Sequence, residues 1–155
     1  MRVGIGYDSH RFADGRKLIL GGVAVPHTQG LAGHSDADVV AHALTDALLG
    51  AAGLGDIGTF FPDSDPAWRD ADSLAMLRQA HQKVIGRHLH FVQADVTVIA
   101  EVPRIGPFVS AMRESLAGAL DAAASQVSVK GKSNEGMGFV GRGEGIAAIA
   151  VALLE

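Results

Sequence analysis

Apolar residues recur at every second position in several short stretches of the chain, and this spacing predicts β-strands. The stretches cover residues 1–7, 17–20, 23–25, 91–100, 127–130 and 146–154. In the first of them, Val3, Ile5 and Tyr7 alternate with small or polar residues, which predicts a strand with one packed face. A pair of glycines separates the second and third stretches, so these two predict a short hairpin.

Between these strands the apolar spacing changes to that of amphipathic helices. Three helices are predicted, over residues 39–50, over residues 73–85 and from Pro107 onward. Ser35 with Asp38 forms a capping-box-like start to the first helix, and Asp72 is a candidate cap for the second. Strands and helices in this order predict an α+β fold, with a mixed β-sheet and helices packed on one face.

The last predicted strand, residues 146–154, is apolar on both of its faces. One face can rest on the helices, but nothing else in this short chain is available to cover the other. We therefore expect a second copy of the chain to cover it, so that the sheet forms a subunit interface. A buried helix is the competing interpretation of this alanine-rich stretch, because periodicity alone does not separate the two.

Length and composition restrict the class of protein. A chain of 155 residues corresponds to a single domain, residues 1–155. The formal net charge is -4 and the basic residues are scattered, so we expect no nucleic-acid partner and no membrane partner. There is no cysteine, which leaves any metal ion to nitrogen and oxygen ligands. Without a leader-like N-terminus or a membrane-length apolar run, a soluble cytoplasmic protein is expected.

The segment GYDSHRF places Asp8 and His10 two residues apart, so that their side chains lie on the same side of a strand. His42 lies on the first predicted helix, four residues from both Asp38 and Asp46, which we expect to orient its ring. Asp8, His10 and His42 would form a ligand set with one open position, as in catalytic zinc sites. The alternative is a strand that ends at Asp8, with a surface His10 and a half-buried His42.

Other polar segments suggest anion or polyol binding. His34 and Ser35 precede the first helix, where unpaired backbone N–H groups attract a phosphate, although Ser35 alone is also an ordinary cap. The connection over residues 54–72 is long and rich in Gly, Pro and Asp, which disfavours a regular element and is typical of functional loops. Its acidic residues could bind a sugar or polyol, or form turns, the simpler interpretation: Asp56, Asp63 and Asp65.

The glycine-rich segment SNEGMGFVGRGEG contains a dinucleotide-type glycine spacing and follows a partial Walker sequence, GKS. Both motifs fail on context, because the first should open a helix and be followed by an acidic residue, and the second lacks its first glycine. What remains is a run of exposed backbone amides beside Lys132, Ser133, Glu135 and Arg142, which would suit a phosphate. The alternative is a plain glycine-rich turn between two strands.

Taken in order, the motifs resemble one family over essentially the whole chain. They are GYDSHRF, LAGHSDADVVAHALTDALLGAAGLGDIG, FFPDSDPAW, DVTVIAEVPRI and KGKSNEGMGFVGRGEGIA. This series is similar to the 2-C-methyl-D-erythritol 2,4-cyclodiphosphate synthases of the non-mevalonate isoprenoid pathway. The resemblance implies a homotrimer whose sheets face a threefold axis, with active sites between subunits. It also implies conversion of 4-diphosphocytidyl-2-C-methyl-D-erythritol 2-phosphate to the cyclic diphosphate, with release of CMP.

The resemblance also assigns roles to residues of this sequence. Asp8, His10 and His42 would bind Zn²⁺, Glu135 would help to place Mg²⁺ or Mn²⁺ at the substrate diphosphate, and His34 and Ser133 would be catalytic. The substrate-binding residues it implies around the metal and the methylerythritol group are Asp8, Ser9, His10, His34, Ser35, Asp56, Ile57, Gly58, Phe61, Pro62, Asp63, Ser64 and Asp65. Those implied around the cytidyl group are Ala100, Glu101, Val102, Pro103, Arg104, Ile105, Gly106, Lys132, Ser133, Asn134 and Glu135, with Phe139 and Arg142 completing the site.

Family members also hold an isoprenoid diphosphate along the trimer axis, for which the candidates are Tyr7, Phe139, Arg142 and Glu144. Departures from the family pattern are small: Ser133 replaces a common threonine and Arg104 a common lysine, whereas Glu101 and Lys132 are less conservative. Two other functions fit the same ligands. One is a metal-dependent phosphohydrolase, and the other is a non-catalytic trimeric protein that binds a metal or an isoprenoid diphosphate.

Overall fold

The structure is a computed structural model that describes residues 1–155. Its strands are β1 (Arg2–Ala13), β2 (Leu18–Leu20), β3 (Val23–Val25), β4 (Gly30–Leu31), β5 (Phe91–Ile99), β6 (Val127–Lys132) and β7 (Gly145–Leu154). Its α-helices are α1 (Val39–Ala52), α2 (Ile57–Phe60), α3 (Ser73–Ile85), α4 (Val109–Ala119) and α5 (Gly138–Gly141). Short 3-10 helices occupy Pro66–Trp68, Gly106–Phe108 and Ala124–Gln126.

Five strands form one mixed sheet in the order β4-β1-β7-β5-β6, and β2 pairs with β3 as the predicted hairpin. β7 runs antiparallel to both β1 and β5, and β5 runs parallel to β6. The predicted α+β class with a mixed sheet is therefore confirmed. Because β1, β5 and β6 share one direction, the residues that follow β5 and β6 lie toward the same edge of the sheet as the second half of β1.

The closing segment is a strand, and the competing helix interpretation is wrong. Ile146, Ala148 and Ala150 lie on the face of β7 that is covered by helices, and all three are fully buried. On the opposite face Ile149 and Val151 remain exposed. The strand is therefore apolar on both faces, as its sequence predicts, but the chain covers only one of them.

Helix α1 packs directly against the backbone of β1 at two glycines. A side chain at Gly6 would place its Cβ 1.9 Å from the carbonyl oxygen of Ala43, and one at Gly4 would place it 2.1 Å from that of Ala47. These distances are far below van der Waals contact, so the close approach of strand and helix requires glycine at both positions. Within the chain, the face of β1 that packs on α1 is therefore the one that carries Gly4 and Gly6.

The prediction that Val3, Ile5 and Tyr7 form the packed face of β1 is wrong within a single chain. Their exposed fractions are 69%, 71% and 54%. They lie beside Ile149 and Val151 of β7, because Ile5 pairs with Val151 and Tyr7 with Ile149. We call these five residues the open sheet face. It is an apolar surface on the side of the sheet away from the helices.

Several element boundaries differ from the prediction. β1 continues past Asp8 to Ala13, because it pairs with β7 as far as Arg11 and then with β4. The long connection contains α2 and a 3-10 helix, so the prediction that it lacks regular elements is wrong. Pro107 lies in a 3-10 turn, and α4 itself begins at Val109. None of the helices combines the length and hydropathy needed to cross a lipid bilayer.

Candidate active site

Three side chains converge between β1 and α1. Asp8 and His10 leave the same face of β1, the one that packs on α1, and His42 comes from the first turn of that helix. Asp8 Oδ2 lies 2.9 Å from His10 Nε2 and 3.1 Å from His42 Nδ1. The two ring nitrogens are 3.2 Å apart. The predicted ligand set is therefore assembled, and the alternative in which the strand ends at Asp8 is wrong.

The orientation of His10 shows what this cluster can hold. His10 Nδ1 lies 2.7 Å from the carbonyl oxygen of Ala32. A carbonyl oxygen only accepts hydrogen bonds, so Nδ1 carries a proton, and Nε2 is the nitrogen that would give a lone pair to a bound cation. Two ligands of a tetrahedral zinc ion are separated by about 3.3 Å, given zinc–nitrogen and zinc–oxygen bonds near 2 Å. The donor atoms and their spacing fit a divalent cation.

Mutual contact shifts the ionisation of this cluster. Burial by itself would raise the pKa of Asp8, but hydrogen bonds with His10 and His42 hold that pKa well below its usual range. Burial lowers the pKa of His10, yet the hydrogen bond and charge of Asp8 outweigh it and leave that pKa raised. Below this raised pKa, and without a cation, His10 carries a second proton on Nε2 that compensates the carboxylate. A cation that binds in this pH range must displace that proton.

The predicted partners of His42 are wrong. Asp38 is fully buried and accepts hydrogen bonds from four backbone N–H groups, those of Gly21, Gly22, Val40 and Ala41. Asp46 accepts from the backbone N–H of Ile57. His42 Nε2 instead faces two hydroxyls, with Ser73 Oγ at 2.8 Å and Ser35 Oγ at 3.1 Å. Helical spacing could not reveal Ser73, because it belongs to α3.

The first turn of α1 does not present the free N–H groups that its position suggests. Asp38 is the N-cap, and its carboxylate already accepts from the N–H groups of the first turn. Burial raises the pKa of Asp38 to about 6, while the backbone hydrogen bonds act in the opposite direction. The expectation that the N–H groups of this first turn are unpaired is therefore wrong, as is Ser35 as the cap. His34 and Ser35 precede the cap and line the metal pocket, and their binding of a phosphate stays a prediction.

A cavity of about 370 Å³ opens beside the three ligands, and we call it the metal pocket. Of the residues implied for substrate binding, it is lined by Asp8, His10, His34, Ser35, Ile57, Gly58, Phe61, Pro62 and Asp63, together with His42. It is also lined by three residues that the sequence analysis did not select: Gly33, Trp68 and Met76. His34 Nε2 lies 3.2 Å from the backbone oxygen of Asp65, which ties the loop before α1 to the long connection.

The remaining residues of that group do not line the metal pocket. Asp56 caps α2, where its side chain accepts from the backbone N–H and the hydroxyl of Thr59. These hydrogen bonds hold the pKa of Asp56 below its usual value. Asp65 caps the following 3-10 turn through the N–H of Ala67. For these two acids the turn-forming interpretation is confirmed, and Ser9 and Ser64 likewise lie outside the lining.

A second cavity, of about 720 Å³, follows the ends of β5 and β6, and we call it the basic pocket. Its lining includes eight of the residues implied for the cytidyl group: Ala100, Glu101, Pro103, Arg104, Ile105, Gly106, Lys132 and Ser133. Val102, Asn134 and Glu135 lie outside it, and Val102 is exposed. Within one chain the basic pocket and the metal pocket share no lining residue.

The turn after β6 does not present a row of free amides. Glu101 Oε1 accepts hydrogen bonds from the backbone N–H groups of Asn134, at 2.8 Å, and Gly136, at 3.2 Å. Two amides of the predicted phosphate cradle are therefore already bound to a carboxylate, and the prediction of an open cradle is wrong there. Ser133 Oγ donates to Glu135 at 2.8 Å, so these two candidates are neighbours in the same turn.

Phe139 and Arg142 lie apart from both pockets. Phe139 borders a smaller cavity of about 280 Å³ with Ser9, His10, Arg11 and Glu144. Arg142 Nε donates to Glu144 Oε1 at 2.6 Å, and this ion pair is largely exposed. Phe139 therefore shares a cavity with one of the three metal ligands, His10, whereas Arg142 and Glu135 line none of these three cavities.

Together, this fold and site define a small α+β protein with a candidate divalent-metal centre beside its mixed sheet. The sequence matches the model of the YgbB family over residues 1–155, and the chain belongs to that family. It is 55% identical over 154 residues to the 2-C-methyl-D-erythritol 2,4-cyclodiphosphate synthase of Moorella thermoacetica, covering 99% of this chain and 94% of that protein. It is 59% identical over 157 residues to the synthase of Rubrobacter xylanophilus, with the same coverage.

Among solved structures, the chain resembles a 2C-methyl-D-erythritol-2,4-cyclodiphosphate synthase described as a CDP-bound form. The TM-score is 0.90 at 40% identity, and the match covers 99% of this chain and 100% of that one. The predicted resemblance to the cyclodiphosphate synthases is therefore confirmed. The relatives' names support the synthase interpretation, and they do not support a phosphohydrolase or a non-catalytic binding protein.

Proposed function

We propose that the chain converts 4-diphosphocytidyl-2-C-methyl-D-erythritol 2-phosphate to 2-C-methyl-D-erythritol 2,4-cyclodiphosphate and releases CMP. The observation that carries this proposal is the meeting of Asp8, His10 and His42 within 3.2 Å of one another, in a chain related over its full length to synthases of that name. The CDP-bound form of a structural relative supports a cytidyl substrate.

Asp8, His10 and His42 would hold Zn²⁺, and Glu135 would help to place Mg²⁺ or Mn²⁺ at the substrate diphosphate. When bound, the two cations would polarise the β-phosphate and offset the repulsion between anionic groups. The protein residues would position the reacting groups. His34, which borders the metal pocket, and Ser133, which borders the basic pocket, would stabilise charge during the transfer.

The reaction joins two phosphates of one substrate molecule. An oxygen of the 2-phosphate attacks the β-phosphorus, the bond from the β-phosphorus to the bridging oxygen breaks, and CMP leaves with that oxygen. No water is consumed, and the attacking oxygen is already anionic, so no general base is required. Positioning and charge neutralisation therefore account for most of the catalysis, as in other phosphoryl transfers.

The two pockets would divide the substrate between them. The metal pocket would take the methylerythritol group against Ile57, Gly58 and Phe61, close to the cation. The basic pocket would take the cytidyl group, with Arg104 and Lys132 as the positive charges for its phosphates. Its volume of about 720 Å³ lies within the range of small-molecule sites.

A homotrimer would join the pockets across a subunit boundary. The open sheet face, with Val3, Ile5 and Tyr7, is an apolar surface that nothing in the chain covers. Burying it around a threefold axis would remove this surface from water and bring the basic pocket of one subunit to the metal pocket of the next. In such a trimer Tyr7, Phe139, Arg142 and Glu144 would be the candidates to bind an isoprenoid diphosphate near the axis.

The proposal is tested by incubating the protein with the cytidyl substrate and Mg²⁺. CMP is measured by chromatography and the second product by phosphorus NMR, and we expect CMP and the cyclic diphosphate in equal amounts. An acyclic phosphate would identify a hydrolase, and the absence of CMP would identify a binding protein. Either outcome would contradict the proposal.

The variant His42→Ala tests the metal site within the same assay. Loss of a cation that stabilises transition-state charge by several kcal/mol corresponds to a fall in kcat of more than about 100-fold. We expect that fall together with loss of bound zinc and an unchanged oligomeric state. Full turnover by the metal-free variant would contradict the assigned site.

A further inference from the structure

His42 contacts two side chains that lie behind it, on the side away from the other ligands. Ser73 is the first residue of α3, and its hydroxyl lies 2.8 Å from His42 Nε2. Asp36 lies in the loop before α1 and contacts Ser73 twice. Ser73 is completely buried, so water does not compete for its hydroxyl. Neither Asp36 nor Ser73 lines the metal pocket.

The hydrogen bonds of Ser73 have a fixed direction. Its hydroxyl donates to Asp36 Oδ1 in a short hydrogen bond, and its backbone N–H donates to Asp36 Oδ2 at 3.2 Å. A serine hydroxyl has one hydrogen, and a carboxylate has none to give. With that hydrogen committed to Asp36, Ser73 Oγ can only accept from His42. Nε2 of His42 therefore carries a proton, and Nδ1, which faces Asp8 and His10, is the nitrogen that would give a lone pair to a bound cation.

The second hydroxyl near His42 is compatible with this direction. Ser35 Oγ lies 3.1 Å from His42 Nε2 and accepts from the backbone N–H of Ala37. It is also 3.4 Å from Ser73 Oγ, so its own hydrogen has an acceptor other than the ring. Ser35 therefore does not have to donate its hydrogen to His42, and Nε2 can keep its own proton.

We propose that Asp36 and Ser73 form a positioning pair that keeps a proton on Nε2 of His42, so that Nδ1 is the nitrogen that binds a divalent cation. The inference rests on the proposed metal site and extends it to two residues that touch neither metal nor substrate. The carbonyl of Ala32 does the same for His10. Partners of this kind fix the tautomer and raise the basicity of a ligating imidazole.

The proton on Nε2 is measured directly by nitrogen-15 NMR of the metal-free protein with labelled histidine. In the unmodified chain we expect Nε2 of His42 to be protonated. In Ser73→Ala, and also in Asp36→Ala, we expect Nε2 to lose part of this protonation in favour of Nδ1, which faces the Asp8 carboxylate. A bare Nε2 in the unmodified chain, or an unchanged His42 spectrum in both variants, would overturn the inference.

Zinc affinity provides a second readout, measured by competition with a chelating dye. Ser73→Ala should bind zinc about 10- to 100-fold more weakly, the usual effect of losing an outer partner of a metal ligand. The control is Thr45→Val, which removes another fully buried hydroxyl of the same region, one bonded only to the carbonyl of Ala41 within α1. The control should bind zinc as the unmodified chain does.

The possible failures are distinguishable. If the unmodified chain binds no zinc, the metal site itself is wrong, while the NMR spectrum still decides the tautomer. If Ser73→Ala does not fold, the spectra of the unmodified chain and of Asp36→Ala decide. Equal zinc affinity of folded Ser73→Ala and the unmodified chain would overturn the role of the pair.

Discussion

His81, on α3, is a residue whose surroundings affect its ionisation and hence the stability of the fold. It is 5% exposed, and its Nδ1 has no hydrogen-bond partner. Burial lowers the pKa of His81, and the charge of Asp121 opposes this only in part. The imidazole is therefore neutral in the folded protein at neutral pH, and its protonation favours the unfolded chain.

This residue predicts a loss of stability in mild acid. Because the folded pKa lies below the unfolded value of about 6.5, its contribution is fully present above pH 6.5 and is lost as the pH falls through the folded pKa. One such group changes the free energy of unfolding by at most about 1.4 kcal/mol per pH unit. The free energy of unfolding is measured by urea denaturation at several pH values from 7.5 to 5.5, for the unmodified chain and for His81→Leu. It should fall less steeply with decreasing pH in the variant. An equal dependence on pH in the two proteins would contradict the prediction.

Individual ligands were predictable from sequence, but the network that orients them was not. Asp8 and His10 follow from the period of a strand, and His42 was placed on a helix beside them. The partner of His42 is Ser73, which is 31 residues away and reaches the ring only because α3 packs beside α1. Helical spacing pointed to Asp38 and Asp46, but both carboxylates are bound to backbone N–H groups.

At the scale of secondary-structure elements, the contact between β1 and α1 sets the distance between the metal ligands. Two ligands belong to the strand and one to the helix, and Gly6 lies where the two backbones approach most closely. Gly6→Ala would force α1 away from the sheet and carry His42 with it. We expect a loss of about 1–3 kcal/mol in the free energy of unfolding, together with weaker zinc binding.

The prediction is checked by measuring the free energy of unfolding and the zinc affinity of Gly6→Ala. Gly118→Ala is the control variant. Gly118 lies within α4, and a Cβ there meets no atom within 4 Å. The control should gain about 0.5–1 kcal/mol, since alanine is the better helix former, and should bind zinc normally. A Gly6→Ala protein with unchanged zinc affinity would show that the ligands tolerate the displacement.

Long periodic segments identified the main elements, whereas short segments did not. The predicted bounds of α3 agree with the structure, because its apolar spacing and its Asp72 cap coincide. β1 was predicted too short, since its second half is polar and is held by pairing with β7 and β4. The two-residue β4 and the four-residue α2 and α5 have too few positions to show a period.

At the scale of the whole molecule, the open sheet face contains five of the ten large apolar side chains that are exposed. Ile5→Glu would place a charge in its centre, beside Val151, and burying an unpaired charge is strongly unfavourable. If the proposed trimer forms through this face, light scattering should show the variant as a monomer, and CMP release should fall with it.

The matched control is Ile85→Glu. Ile85 is also an exposed isoleucine, but it lies at the end of α3, away from the open sheet face. This control should remain trimeric and active. A trimeric Ile5→Glu protein would show that the face is not the interface.

An apolar sheet face left open by the chain was predictable from the two apolar faces of β7 alone. The separation of the two pockets within one chain was not, because the order of motifs along a sequence does not give the distance between them. Sequence also did not show that Glu101 would occupy the amides that follow β6, since the side chain reaches them from the segment after β5.

The double hydrogen bond of Glu101 links the nucleotide end of the proposed site to its reacting end. One carboxylate oxygen, in the wall of the basic pocket, holds the turn that carries Ser133 and Glu135. A shift of that wall when the base and ribose bind would act on the turn through these two hydrogen bonds. The cytidyl group, although it is the part that departs, would thereby help to set the alignment of the phosphates.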